Sequence, residues 1–91
     1  MPEAVRIRAG DFIRIVRLPG AFDEPGYRVH PDTRRVFRRL LRRGRPLRVF
    51  DVDRQGLPWV RCQFRGRDGR WIYHSLAVEP DAWVKVRKQK R

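Results

Sequence analysis

Residues 59–78, WVRCQFRGRDGRWIYHSLAV, are the stretch that decides the fold. In its first half Val60, Cys62 and Phe64 alternate with polar residues, which is the period of a β-strand that buries one side. The Asp-Gly dipeptide that follows suits a tight turn, because both residue types tolerate the backbone angles that such turns require. The stretch therefore predicts two antiparallel strands joined as a hairpin.

The length of that turn decides which aromatic side chains face the core. A two-residue turn pairs Phe64 with Tyr73, so that Tyr73 and Trp71 are buried. A three-residue turn pairs Phe64 with Ile72 and puts Trp71 on the surface beside Arg65, since a shift of one residue moves every side chain to the other face. Asp-Gly favours the first register, and we expect both aromatic rings to be buried. In the other register they could stack nucleic-acid bases.

Three further segments have the composition of strands: FIRIVRL at residues 12–18, PLRVFDVD at 46–53, and WVKV at 83–86 after the corner EPDA. Residues 19–30 hold two prolines and two glycines without a period, so we expect a loop there. Five short strands and one helix predict a mostly β (α+β) fold, a small barrel capped by the helix. A chain of 91 residues has room for one domain.

The helix is predicted at residues 31–43, PDTRRVFRRLLRR. Pro31 suits the first helical position, where its missing N–H costs nothing, and Gly44 suits the C-terminal cap. We expect one apolar face of this helix to pack on the barrel. That face consists of Val36, Phe37, Leu40 and Leu41.

From residue 46 onward the order of elements resembles the second half of an SH3-like barrel. GLPWVRCQF is followed by a hairpin, and HSLAVEPDAWVKV is similar to the family's one-turn 3₁₀ corner and short final strand. The resemblance covers about residues 46–86, with AGDFIRIVRL as the first strand. It implies a five-stranded SH3-like barrel at residues 1–86. The helix that we expect after the first strand departs from the pattern of signalling SH3 domains, and residues 87–91, RKQKR, form a basic tail.

The resemblance also implies a possible protein-binding groove. The positions that match the family's peptide-stacking residues are Trp59, Pro80 and Trp83. The groove's first-strand tyrosines have no counterpart in this chain, which argues against proline-rich ligands. Other SH3-like barrels bind modified tails, ribosomal RNA or protein partners, and the fold alone does not choose among these.

Positive charge is the outstanding property of the composition. The formal net charge is +13, from 23 basic and 10 acidic residues, and such a surplus favours anionic partners and salt-sensitive association. Residues 34–43 hold six arginines and no acid. These form like-charge pairs four residues apart, each of which costs about 0.2–0.5 kcal/mol in an isolated helix.

Three interpretations of the arginine-rich face compete. It could be a tolerated surface neutralised by the chain's own acids, Asp23, Glu24, Asp51 or Asp53. It could bind DNA or RNA phosphates, because arginine forms two-pronged hydrogen bonds to phosphate. It could instead bind an acidic protein surface or an anionic membrane. The membrane interpretation requires a free apolar helix face, and we expect that face to cover the barrel.

We expect a non-catalytic module that binds nucleic acid with little sequence preference, since no cluster of Asn or Gln accompanies the arginines to read base edges. Neutralising roughly six phosphates gives a log–log salt slope of about −5 on a duplex and about −4 on a single strand. The candidate contact residues are Arg34, Arg35, Arg38, Arg39, Arg42, Arg43, Arg45, Arg48, Arg61 and Arg65. The alternative is a protein-interaction module that uses the aromatic groove.

Other chemistry is poorly supported by the sequence. His30, His74 and Cys62 fit no common zinc spacing, and three ligands are too few for a closed structural site. Cys62 alternates with apolar residues, so we expect it to be buried and not nucleophilic. We expect no catalytic residue, no metal and no cofactor. One cysteine and no apolar run of about 20 residues predict an intracellular, cytoplasmic protein without a membrane span.

Overall fold

The computed structural model describes residues 6–87, which form a five-stranded antiparallel sheet and one helix. The five strands and one helix predicted from the sequence are confirmed at this level. The strands are β1 (Phe12–Ile15), β2 (Leu47–Val52), β3 (Pro58–Arg65), β4 (Trp71–Ala77) and β5 (Trp83–Val86), and the helix is α1 (Pro31–Arg43). Short 3₁₀ turns occupy Gly20–Asp23 and Pro80–Ala82.

The sheet has the strand order β4-β3-β2-β1-β5. Strands β1 to β4 follow one another as antiparallel neighbours, and the last strand returns to the first, with Phe12 opposite Val86. A bulge between Val49 and Asp51 shifts the register of β2 against β3. Such a bulge bends a strand and increases its twist, so β2 can pair with β1 at one end and with β3 at the other.

The helix begins and ends at the predicted residues. Nδ1 of His30 accepts a hydrogen bond of 3.1 Å from the backbone N–H of Asp32, which caps the first turn. Gly44 ends the helix in the left-handed conformation, with φ at 61°, and its N–H donates to the carbonyl of Leu40. Of the predicted apolar face, three residues are buried and Leu41 is half-buried.

The core lies between α1 and one face of the sheet. Phe22, from the first 3₁₀ turn, meets Phe37 of the helix edge to face at 5.3 Å between ring centroids. The sequence predicted only a loop there, so this turn and its buried ring were missed.

Cys62 is buried as predicted, and its desolvation raises the pKa of its thiol. The strands contribute Ile13, Ile15, Val49, Val60, Cys62, Phe64 and Leu76 to the core.

The expected register of the β3–β4 hairpin is wrong. Phe64 lies opposite Ile72, and Arg65 lies opposite Trp71. Trp71 and Tyr73 are therefore on the outer face of the sheet, 48% and 71% exposed, although the favoured two-residue turn would have buried them. The structure has the three-residue alternative instead.

The cause lies in the conformation of the turn itself. The N–H of Gly69 donates to the carbonyl of Gly66 at 3.0 Å, which closes a four-residue turn. Gly69 then adopts φ of 81°, and the N–H of Gly66 donates to the carbonyl of Arg70 at 2.7 Å. Asp68 accepts from the N–H of Arg70. The Asp-Gly dipeptide thus fills the last two places of a three-residue loop, which uses the same residue types as a two-residue turn.

Some predictions concern the first strand, the two ends of the chain and membrane-spanning helices. Strand β1 is shorter than the FIRIVRL run at residues 12–18 that predicted it. Residues 1–5, and 88–91 of the predicted basic tail, lie outside the described residues. Between residues 6 and 87, no helix has the length and apolar character needed to cross a membrane.

Candidate nucleic-acid interface

A cleft of about 580 Å³ lies between α1 and the β3–β4 hairpin. It exists because Ile72 and His74 lie on the inner side of the hairpin, where α1 covers Phe64 but leaves Ile72 half-exposed. The cleft combines an apolar floor with a charged border. Its lining residues are Asp32, Arg35, Val36, Arg39, Phe64, Arg65, Gly66, Arg67, Ile72 and His74.

A second depression of about 380 Å³ adjoins this cleft and shares Arg39 and Arg65 with it. Arg42 and Arg43 complete its lining. We refer to the two depressions together as the basic cleft. Its lining includes six arginines and a single carboxylate, that of Asp32.

Two of these arginines are held in place by an aromatic ring. The guanidinium carbons of Arg39 and Arg43 lie 4.9 and 4.3 Å from the centroid of the Phe64 ring. Nη1 of Arg43 also donates to the carbonyl of Gln63 at 3.4 Å. Cation–π contact and packing of the side-chain stems restrict the rotamers of both arginines while their heads remain in water. The charge is therefore partly preorganised.

The helix has few internal counter-ions. Arg35 lies 3.4 Å from Asp32 in an exposed pair. Arg34 lies 3.8 Å from Asp23, and it donates a 2.6 Å hydrogen bond to the carbonyl of Phe22. Exposed pairs of this kind stabilise by at most about 1 kcal/mol. No described carboxylate lies within 4.0 Å of the remaining four helix arginines, which are Arg38, Arg39, Arg42 and Arg43.

The acids that could have neutralised the helix are mostly engaged elsewhere. Asp53 accepts hydrogen bonds from the N–H groups of Gln55 and Leu57 and from Nε1 of Trp59. The bond from Leu57 is the main cause of the lowered pKa of Asp53. Asp51 accepts from the N–H of the next residue. Of the four acids proposed as neutralising partners, only Asp23 forms an ion pair with α1 among residues 6–87.

The structure brings together half of the predicted contact arginines. Arg35, Arg39, Arg42, Arg43 and Arg65 line the basic cleft. The remaining five do not: Arg34 is bound to the 3₁₀ turn, Arg61 lies 4.2 Å above the Phe50 ring, and Arg38, Arg45 and Arg48 are exposed elsewhere. Arg67 lines the cleft and was missed, because its position depends on the conformation of the turn.

An aromatic surface borders the basic cleft. Trp71 and Tyr73 lie two residues apart on the outer side of β4. The guanidinium carbon of Arg65 lies 5.0 Å from the centroid of the Trp71 ring. Arg65 thus connects the basic cleft to these two rings, which we call the aromatic pair.

The residues of the alternative groove, Trp59, Pro80 and Trp83, have different surroundings. Trp59 is half-buried, is fixed by its hydrogen bond to Asp53, and lines a separate pocket of about 270 Å³. Neither Pro80 nor Trp83 lines that pocket. Trp83 packs against the core, and its Nε1 is buried without a hydrogen-bond partner in the described structure.

Metal-ligating side chains are scattered in the part of the chain that the structure describes. His74 lies opposite Cys62 across β3 and β4, whereas His30 caps α1. Residues 6–87 contain no group of three or more such side chains that could hold a metal ion.

Comparison of the chain with family models, curated proteins and solved structures finds no match. The candidate interface rests on the geometry and charge of the basic cleft.

Proposed function

We propose that this protein is a non-catalytic module that binds nucleic acid through the basic cleft, with little sequence preference. The observation that carries the proposal is that Arg39, Arg42 and Arg43 of the cleft have no carboxylate within 4.0 Å among residues 6–87, and neither has the neighbouring Arg38. Such a row of like charges destabilises a helix by mutual repulsion. An anionic partner removes that cost when it binds.

A chain of phosphates suits this surface because it presents closely and regularly spaced anions along its length. Guanidinium groups bind phosphate through two parallel hydrogen bonds, and a rigid helix presents several of them at fixed spacing. Arg39 and Arg43 on α1 lie near Arg65 on β3, so a phosphate backbone would contact two elements at once. Weak sequence preference is expected because phosphate contacts carry no base information.

We also propose that the fold is an SH3-like barrel. Two features support this interpretation: β5 returns to pair with β1, and a 3₁₀ turn at Pro80–Ala82 precedes it. The 3₁₀ turn and the short strand after it are the two features that the resemblance implied for this part of the chain. The fold itself does not favour nucleic acid over protein partners, so the functional proposal depends on the cleft.

The test is a charge-reversal pair with a matched control. Arg39→Glu/Arg42→Glu changes the cleft, and Arg14→Glu/Arg17→Glu makes the same change in net charge at exposed residues that do not line it. Binding of fluorescein-labelled 20-mer oligonucleotides is measured by anisotropy at low and physiological salt. We expect the cleft variant to lose roughly tenfold or more in affinity, and the control variant to lose much less.

Two outcomes contradict the proposal. Equal losses in the two variants would mean that total charge, and not the cleft, attracts the nucleic acid. Absence of binding by the folded wild-type protein at low salt would exclude nucleic acid as the partner. Circular dichroism of each variant establishes that it is folded.

A further inference from the structure

The aromatic pair has no evident role in holding the fold together. Trp71 and Tyr73 are 48% and 71% exposed, on the side of β4 away from the core. Residues two apart on a strand are separated by about 6.6 Å, so the rings are neighbours on one surface. Exposed aromatic side chains grouped in this way are typical of binding surfaces.

The aromatic pair meets the basic cleft at Arg65, with the rings on the outer side of the β3–β4 hairpin and Ile72 and His74 of the cleft on its inner side. Arg65 lies opposite Trp71 in the β3–β4 ladder and over its ring, and the same arginine lines both depressions of the cleft. Gln63 lies opposite Tyr73. Arg65 is therefore the residue that a bound strand would contact in passing from the cleft to the rings.

The two halves of this surface recognise different parts of a nucleic acid. Guanidinium groups bind phosphates of single strands and duplexes alike. Aromatic rings stack on the faces of bases, and within a duplex those faces are covered by the neighbouring base pairs. A partner that contacts both halves must therefore offer unpaired bases.

We infer that the partner is single-stranded nucleic acid, whose phosphates lie in the basic cleft while unpaired bases stack on Trp71 and Tyr73. This inference rests on the proposed function and narrows it to one class of nucleic acid. Stacking tolerates any base, which agrees with weak sequence preference. A second copy of the chain is a poor occupant, because it would bring the same arginines against one another.

The experiment compares three probes of equal length: an oligothymidine strand, an abasic strand with the same phosphates, and a duplex. The variant is Trp71→Ala/Tyr73→Ala, which truncates two exposed side chains. Wild-type protein is expected to bind oligothymidine roughly tenfold or more tightly than the abasic strand. The variant is expected to lose that advantage and to bind the abasic strand and the duplex as the wild type does.

Two further variants separate stacking from other effects. Trp71→Phe/Tyr73→Phe keeps an aromatic ring at both positions and should retain most of the affinity for oligothymidine. Tyr27→Ala removes an exposed ring that stacks on Phe22, at 6.1 Å between ring centroids, and lines neither part of the basic cleft. This control should leave binding of all three probes unchanged.

The outcomes distinguish this inference from the proposed function. Equal affinity of wild-type protein for oligothymidine and the abasic strand would overturn it, as would unchanged oligothymidine binding in Trp71→Ala/Tyr73→Ala. In either case a loss of binding in Arg39→Glu/Arg42→Glu would leave the proposed function standing. Absence of binding to every probe would overturn both.

Discussion

At the scale of single residues, Gly69 determines where the aromatic pair lies. Its φ of 81° is a conformation that residues with a Cβ rarely adopt, although the space around it is open. The cost of a substitution is therefore one of backbone conformation and not of collision. The three-residue turn, and with it the register of β4, depends on this angle.

We predict that Gly69→Ala lowers the free energy of unfolding by about 1–2 kcal/mol, because alanine is strained in the left-handed region. Gly69→Asn should cost less, since asparagine tolerates that region better. Urea denaturation of the three proteins measures the difference. Equal stability of wild-type protein and Gly69→Ala would show that the turn has another conformation.

A second residue-scale prediction concerns Asp53. Hydrogen bonds, chiefly from the N–H of Leu57, lower its pKa in the folded protein. The carboxylate therefore contributes stability in full above the ordinary pKa of aspartate, near 3.9, and that contribution disappears as the pH falls through the lowered value.

The measurement is the melting temperature of wild-type protein and Asp53→Asn between pH 6 and pH 2. We expect the variant to be less stable at pH 6, and the difference to shrink as the solution becomes acidic. A difference that does not depend on pH would contradict the assignment.

At the scale of secondary-structure elements, α1 combines a buried apolar face with a repulsive outer face. Arg38 has Arg34 and Arg42 as its neighbours at i±4, and no described carboxylate within 4.0 Å. The helix is therefore held by its packing and its caps, against its own surface charge.

Arg38→Glu should stabilise the fold, because two like-charge pairs become opposite-charge pairs. We expect a gain of about 0.5–1 kcal/mol, which raises the melting temperature by several degrees in a chain of this size. The melting temperature of Arg38→Gln, which removes the repulsion without adding an attraction, should lie between those of the wild-type protein and Arg38→Glu. A fall in melting temperature for Arg38→Glu would mean that this arginine is satisfied within the protein.

The elements differ in how well the sequence predicts them. Pro31 and Gly44 fix the ends of α1 through local backbone chemistry, so its bounds are predicted to the residue. The β3–β4 register is predicted wrongly, because Asp-Gly favours a two-residue turn but also fits the last two places of a three-residue turn. Phe22 was missed because an isolated aromatic residue among prolines and glycines has no period to reveal its burial.

At the scale of the whole molecule, the candidate site depends on how α1 sits on the sheet. The arginines of α1 were visible in the sequence as a charged face. Arg65 was predicted as a further contact residue, whereas Arg67 was not, since no local pattern determines where a helix docks on a hairpin. The exposure of the aromatic pair was predicted wrongly for a related reason, because it depends on the conformation of one turn.

The central claim is that phosphates bind the arginines of the basic cleft. The most direct test is the salt dependence of binding to a single-stranded oligonucleotide, measured for wild-type protein, Arg39→Ala/Arg42→Ala and Arg14→Ala/Arg17→Ala. We predict a log–log slope of about −4 for wild-type protein, reduced in magnitude by about 1.4 in the cleft variant and unchanged in the other. A wild-type slope near zero, or a slope that changes only when Arg14 and Arg17 are removed, would contradict the claim.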